Sequence, residues 1–170
     1  MAKTYSAKAI ANFFLKLSEN DSRPVTPLAI QKLVYFAHGW HLAFFNAPLI
    51  SDNVEAWKFG PVIPSLYAAF QQYGKSQISR PATEFDFTKL ESVPVEFLAD
   101  NPNQEKLLNR VWKDYSRFTG LELSDITHRP DTPWSKVWGN GSTIGRVIDN
   151  ALIKDYFVQE IEKLKKKTQA

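Results

Sequence analysis

A chain of 170 residues with 44% apolar and 23% charged residues has the make-up of one globular domain, long enough to build a core without staples. It has no cysteine, which excludes disulfide scaffolds, thiolate zinc sites, iron–sulfur clusters and cysteine nucleophiles. The formal net charge of +3 comes from Lys163, Lys165, Lys166 and Lys167; without them the 21 basic residues no longer outnumber the 18 acidic ones, so the sign describes a tail and not a nucleic-acid-binding face.

Ser6 can cap a first helix in which Ile10, Phe13, Phe14 and Leu17 recur at helical spacing. Residues 18–23 are polar and predict a loop. Thr26-Pro27 is a helix start, with a hydroxyl at the cap and proline in the first turn. The helix that follows carries Ile30, Leu33, Val34, Ala37, Trp40, His41, Phe44 and Phe45, a stripe wide enough for the centre of a core. Ala47-Pro48 ends it, and 53–59 alternates as a short extended piece. Gly60-Pro61 breaks that piece and is expected to seed a third helix through Leu66, Tyr67 and Phe70.

From 78 to 101 order weakens into a long connection with room for a small hairpin at Phe85 and Phe87. Pro102 opens a fourth helix through Trp112 and Tyr115, which Gly120 is expected to end, and a short helix follows over 121–127. A further turn of helix is expected at 134–138, a loop at 139–145, and a last helix from about Asn150 with Ile153, Tyr156, Phe157, Ile161 and Leu164 on one face. Residues 163–170 form its basic, solvated end. The expectation is a mainly α, compact single-domain bundle of about six helices over 1–170, with a small irregular β excursion. No signal-peptide pattern and no apolar run of roughly 18 residues occurs, so the expected location is the cytoplasm.

Chemistry-bearing residues are sparse. His38 and His41 lie three apart on the central helix, and with His128, helped by Asp125 or Asp131, they make the alternative reading of a metal-dependent hydrolase. There is no H-E-x-x-H, no G-x-S-x-G elbow, and the glycines of 139–145 match neither a P-loop nor a dinucleotide fingerprint. A nucleic-acid-associated regulator is a second alternative, but the aromatic residues are not interleaved with Arg and Lys, and no basic recognition helix follows a short turn. No cofactor is expected. More suggestive are 14% aromatic residues and the rigid corner Trp57-Lys58-Phe59-Gly60-Pro61-Val62, since large rings on a stiff turn suit recognition at low entropic cost.

Three stretches carry a family resemblance: Leu28-x-x-Gln31-Lys32-Leu33-x-Tyr35-Phe36-Ala37-His38-Gly39-Trp40; Glu55-Ala56-Trp57-Lys58-Phe59-Gly60-Pro61-Val62-x-Pro64-x-Leu66-Tyr67; and Thr127-His128 with Pro133-Trp134. Together they resemble the Panacea domain of bacteria and phages, which includes SocA-like antitoxins and phage-associated GepA-like proteins. The resemblance implies a mainly helical domain that neutralises a partner toxin by direct binding and that, in the SocA-like case, acts as an adaptor delivering the toxin to a protease. With no complete catalytic constellation and no membrane-length apolar run, a non-catalytic role without a membrane partner is expected, and the sequence does not set the oligomeric state. The partner-binding surface or its support is expected among Gln31, Lys32, Tyr35, Trp40, Glu55, Trp57, Lys58, Gly60, Pro61, Tyr67, Thr127, His128 and Trp134. Gln31, Lys32 and Tyr35 are expected close to Glu55, Trp57 and Lys58, with a possible Lys32–Glu55 pair. Residues 81–101 fall outside the resemblance, and partner choice is expected there.

Overall fold

The computed structural model describes residues 2–142 and 144–170. Helix α2 (Pro27–Phe45) is the axis of the molecule. Thr26 accepts a hydrogen bond from the Ala29 amide, Pro27 pre-sets the first turn, and Asn46 closes the helix in the left-handed conformation. Because α2 is apolar around most of its circumference, it needs neighbours on every side. Helices α1 (Ala7–Asn20), α3 (Pro64–Phe70), α4 (Pro102–Tyr115), α5 (Gly120–Thr127) and α7 (Asn150–Gln169) all pack against it. A short α6 (Pro133–Trp138) bridges α5 and α7, giving the mainly helical fold that the periodicity predicts.

Helices α2 and α7 pack closely at Gly39. Gly39 lacks a side chain where the Phe157 ring lies on the α2 backbone: a Cβ there would meet ring atoms at 2.1–2.5 Å. Around that contact Tyr35, Phe36 and Trp40 pack against Phe157, and Phe36 stacks on Tyr115 with ring centroids 4.3 Å apart.

Two small antiparallel sheets complete the fold. One has the order β2–β1–β5, from β1 (Glu55–Trp57), β2 (Gly60–Val62) and β5 (Arg146–Val147), with Glu55 opposite both Val62 and Val147. The other pairs β3 (Thr83–Asp86) with β4 (Glu91–Pro94), the hairpin for which 78–101 left room.

Three local expectations need correction. Gly60-Pro61 does not seed a helix: Pro61 pairs with Ala56 inside β2, and α3 begins at Pro64. Gly120 does not end α4 but opens α5, because Thr119 at the N-cap forms a reciprocal capping box with Glu122 in the first turn. The 139–145 loop begins as a single 3-10 turn, Gly139–Gly141, and leads into the unforeseen strand β5; Thr143 lies outside the described residues.

Candidate functional site

The corner 57–63 is a tight hairpin whose backbone carbonyls are held by side chains from three helices. Trp134 Nε1 in α6 donates to Trp57 O at 2.7 Å, and Ser124 Oγ in α5 donates to Phe59 O at 2.7 Å. His128, the C-cap of α5, places Nε2 3.1 Å from Lys58 O while Nδ1 lies 2.6 Å from Ser124 O. From α2, Lys32 Nζ donates to Pro61 O at 2.9 Å, and the Gln31 amide brackets Ile63, donating to its carbonyl at 3.1 Å and accepting from its N–H at 2.8 Å. The strands are only three residues long, too short to hold themselves, so these cross-links do the work that a longer ladder would do.

Gly60 has φ +104°, open to glycine but costly for an L side chain. A Cβ there would lie 2.5 Å from Thr127 Oγ1 and 3.1 Å from Lys32 Nζ. Thr127 is itself fixed by donating to Ser124 O at 2.7 Å.

Lys32 is fully buried, and among the described residues its hydrogen-bond acceptor is the Pro61 carbonyl. Burial lowers its ammonium from the ordinary 10.5 to about 7, since one neutral carbonyl does not replace lost hydration. Between those two values the unfolded chain keeps a proton that the folded chain has released, so this lysine makes stability rise with pH there and adds no slope below about 7. Wild type should therefore gain on Lys32→Met by about 1 kcal/mol per pH unit from pH 7.5 to 9.5. Urea unfolding of both proteins across that range checks this, and parallel curves would mean that the folded ammonium stays charged.

The cross-linked residues are interior: Gln31, Lys32, Gly60, Pro61, Thr127 and Trp134 are all buried. What they hold out to solvent is an aromatic surface. Phe59 is 55% exposed and Tyr67 47% exposed, and the half-buried Trp57 ring lies 5.0 Å from Tyr67. Trp57 Nε1 donates to Glu55 Oε2 at 2.9 Å, which fixes the indole, and Lys58 Nζ sits 5.6 Å from the Phe59 ring centre.

The structure thus brings Gln31, Lys32, Gly60, Pro61, Thr127, His128 and Trp134 together as supports beneath Glu55, Trp57, Lys58 and Tyr67. Lys32 does not pair with Glu55, whose carboxylate takes the Trp57 indole instead. Tyr35 and Trp40 fall outside the group. They lie one and two turns further along α2, where Phe157 covers the helix, and Trp40 Nε1 donates to the Tyr115 hydroxyl at 3.1 Å. Sequence reasoning missed Ser124 as a support and Phe59 as an exposed anchor. Phe59 stood in the quoted motif, but nothing local separates an exposed phenylalanine from a core one.

The three histidines serve three different clamps. His38 Nδ1 accepts from the Leu49 and Ile50 amides, leaving Nε2–H to donate to Asn150 Oδ1 at 2.8 Å. Burial lowers its pKa to about 4, the Asn150 bond opposing and nearby His41 adding to the shift. His41 donates from Nδ1 to Ala47 O at 2.7 Å and meets the Gln104 amide at Nε2, and burial lowers its pKa as well. His128 belongs to the hairpin. The hydrolase alternative therefore lacks its ligand set: among the described residues no group of three or more His, Asp or Glu side chains is placed to hold a metal ion. Nor, among them, is any helix long and apolar enough to cross a membrane.

Comparison with known proteins agrees with the resemblance. Residues 30–135 match the family model described as antitoxin SocA-like, Panacea domain, and that span contains every support and exposed residue of the hairpin. Over 159 residues the chain is 33% identical to Antitoxin SocA of Caulobacter vibrioides (strain NA1000 / CB15N), covering 91% of this chain and 84% of the relative. No solved structure gives a significant match. On the strength of both matches, this chain belongs to the antitoxin SocA-like Panacea family.

Proposed function

We propose that this protein is an antitoxin that neutralises a partner protein toxin by direct association, with the hairpin tip of Trp57, Lys58, Phe59 and Tyr67 as contact surface. Family membership supports the antitoxin-like role. The observation that carries the binding mode is the pairing of solvent-facing aromatic rings with a backbone tied down at five carbonyls. Such a surface loses little conformational entropy on docking, and aromatic anchors dominate interface energies. Catalysis has no part in this reading: the buried imidazoles spend their nitrogens on holding loops.

The test is co-expression with the product of the neighbouring gene, scored by growth rescue and co-purification. Phe59→Ala should fold normally because its ring is already 55% exposed. It should nevertheless weaken the complex by about 1–3 kcal/mol, roughly fivefold to a hundredfold. A neighbour that is harmless alone and does not co-purify sinks the antitoxin reading, and an unchanged affinity for Phe59→Ala moves the interface elsewhere. The toxin's half-life in the same cells, with and without this protein, decides between simple inhibition and delivery to a protease.

A further inference from the structure

Away from the hairpin tip, the β3–β4 arm exposes three large apolar side chains: Phe85 at 50%, Phe87 at 81% and Leu90 at 75%. A two-stranded hairpin alone is marginal in water, yet this one is built to stand firm. At its root a single α1 side chain grips both strands: Asn12 Nδ2 donates to Ala82 O at 2.8 Å and Val95 O at 2.9 Å, while Oδ1 accepts from the Ala82 amide at 2.7 Å. At its tip Asp86 Oδ1 accepts from the Thr88 amide at 2.8 Å, the Thr88 hydroxyl at 2.6 Å and the Lys89 amide at 3.2 Å. The Phe85 and Phe87 rings meet edge-on at 5.0 Å.

Leu90 is the telling residue. Its φ of +54° lies in the left-handed region, where glycine or asparagine costs less, and its side chain is left in water. Neither the local backbone nor the core of this chain accounts for a leucine at that position. Strain retained together with exposed apolar surface points to a contact made by another molecule. The arm also has a charge of its own: Glu84, Asp86 and Glu91 against Lys89, while the positive charge of the chain is confined to its lysine-rich last helix end.

We infer that the β3–β4 arm is a second, partner-selecting contact, inserting Phe87 and Leu90 into an apolar cleft with a cationic rim on the toxin; this rests on the antitoxin reading. The net negative charge of the arm, from Glu84, Asp86 and Glu91 against Lys89, turns a cationic partner toward this end and supplies selectivity through charge.

The probe is the purified product of the neighbouring gene, titrated with wild type, Phe87→Ser, Leu90→Asn and the double charge reversal Glu84→Lys/Glu91→Lys. Leu90→Asn should keep or raise the melting temperature, since asparagine accepts the left-handed conformation, so a binding loss in it is not a folding loss. Phe87→Ser and Leu90→Asn should each raise the dissociation constant about tenfold or more. The charge reversal should slow association and flatten its salt dependence. If wild type binds and rescues growth while these variants bind within about twofold of it, the arm is no interface and the antitoxin reading stands alone. If wild type neither binds nor rescues, the antitoxin reading fails and the arm's assignment falls with it.

Discussion

Gly60→Ala should lower the free energy of unfolding by about 2–5 kcal/mol and abolish partner binding at concentrations where the wild type is saturated. Two costs add at this position. An L residue forced to positive φ loses about 1–2 kcal/mol, and overpacking a filled site loses about 1–3 more. The overlap is with Thr127 Oγ1 at 2.5 Å and the Lys32 methylene and amine at 3.1 Å, and both side chains are buried and hydrogen-bonded, so neither yields cheaply. Chemical denaturation of Gly60→Ala, Thr127→Ala and the double variant separates the two costs. Removing the threonine hydroxyl should recover part of the steric loss, giving a favourable coupling of about 1 kcal/mol, while the backbone cost remains. A Gly60→Ala protein as stable as wild type would show that the hairpin relaxes freely and that its cross-links do not define the tip.

The second large effect is expected at Gly39, far from the tip. Alanine gains about 1 kcal/mol over glycine in a helix interior. Here the new Cβ would sit 2.1–2.5 Å from the Phe157 ring, which a shift of a few tenths of an ångström does not relieve. Phe157 is buried between α2 and α7 and cannot swing out without opening that interface. So short an approach puts the overpacking cost at the upper end of about 1–3 kcal/mol, so the clash wins and Gly39→Ala should lose about 1–2 kcal/mol net, a fall of roughly 2–8 °C in melting temperature. Phe157→Leu in the same chain should restore part of the loss. Affinity for the partner, measured well below the melting point, should stay within about twofold. Gly39→Ala thus separates stability from binding where Gly60→Ala moves both.

Most of the helical frame is legible in the sequence, because helix signals are local. Thr26-Pro27 and Pro102 announce their helices, and the apolar girdle of α2 marks it as the axis. The β parts are hidden for the same reason in reverse. Strands of two or three residues have no measurable periodicity, and β5 exists only because residues 146 and 147 reach β1, some ninety positions earlier in the chain. Gly60-Pro61 has the composition of a breaker, and only its pairing with Ala56 and Trp57 makes it a strand. At the candidate site, the motifs mark residues that are mostly buried supports. Lys32 looks like a surface cation in the sequence, and only the fold shows it beneath the Pro61 carbonyl. The left-handed conformation of Leu90, the reason to single out the arm, leaves no trace in residue type at all.

The cross-links of the tip also set a timetable. Three of its five carbonyls wait for partners 65, 70 and 77 residues further along the chain, in α5, at its C-cap and in α6. At a synthesis rate of roughly 5–20 residues per second, Trp57 emerges about 4–15 s before Trp134 can fasten it. Until then the aromatic residues are present but the tip surface is incomplete, so under the proposed binding mode a nascent chain lacks that contact. The same order applies in reverse to degradation: a protease that pulls out α5 and α6 removes three of the tip's cross-links and leaves only those from Gln31 and Lys32. If the proposed binding mode holds, inhibition in a cell should then track the population of complete molecules, and fragments retaining the aromatic motif itself should bind more weakly than the whole chain.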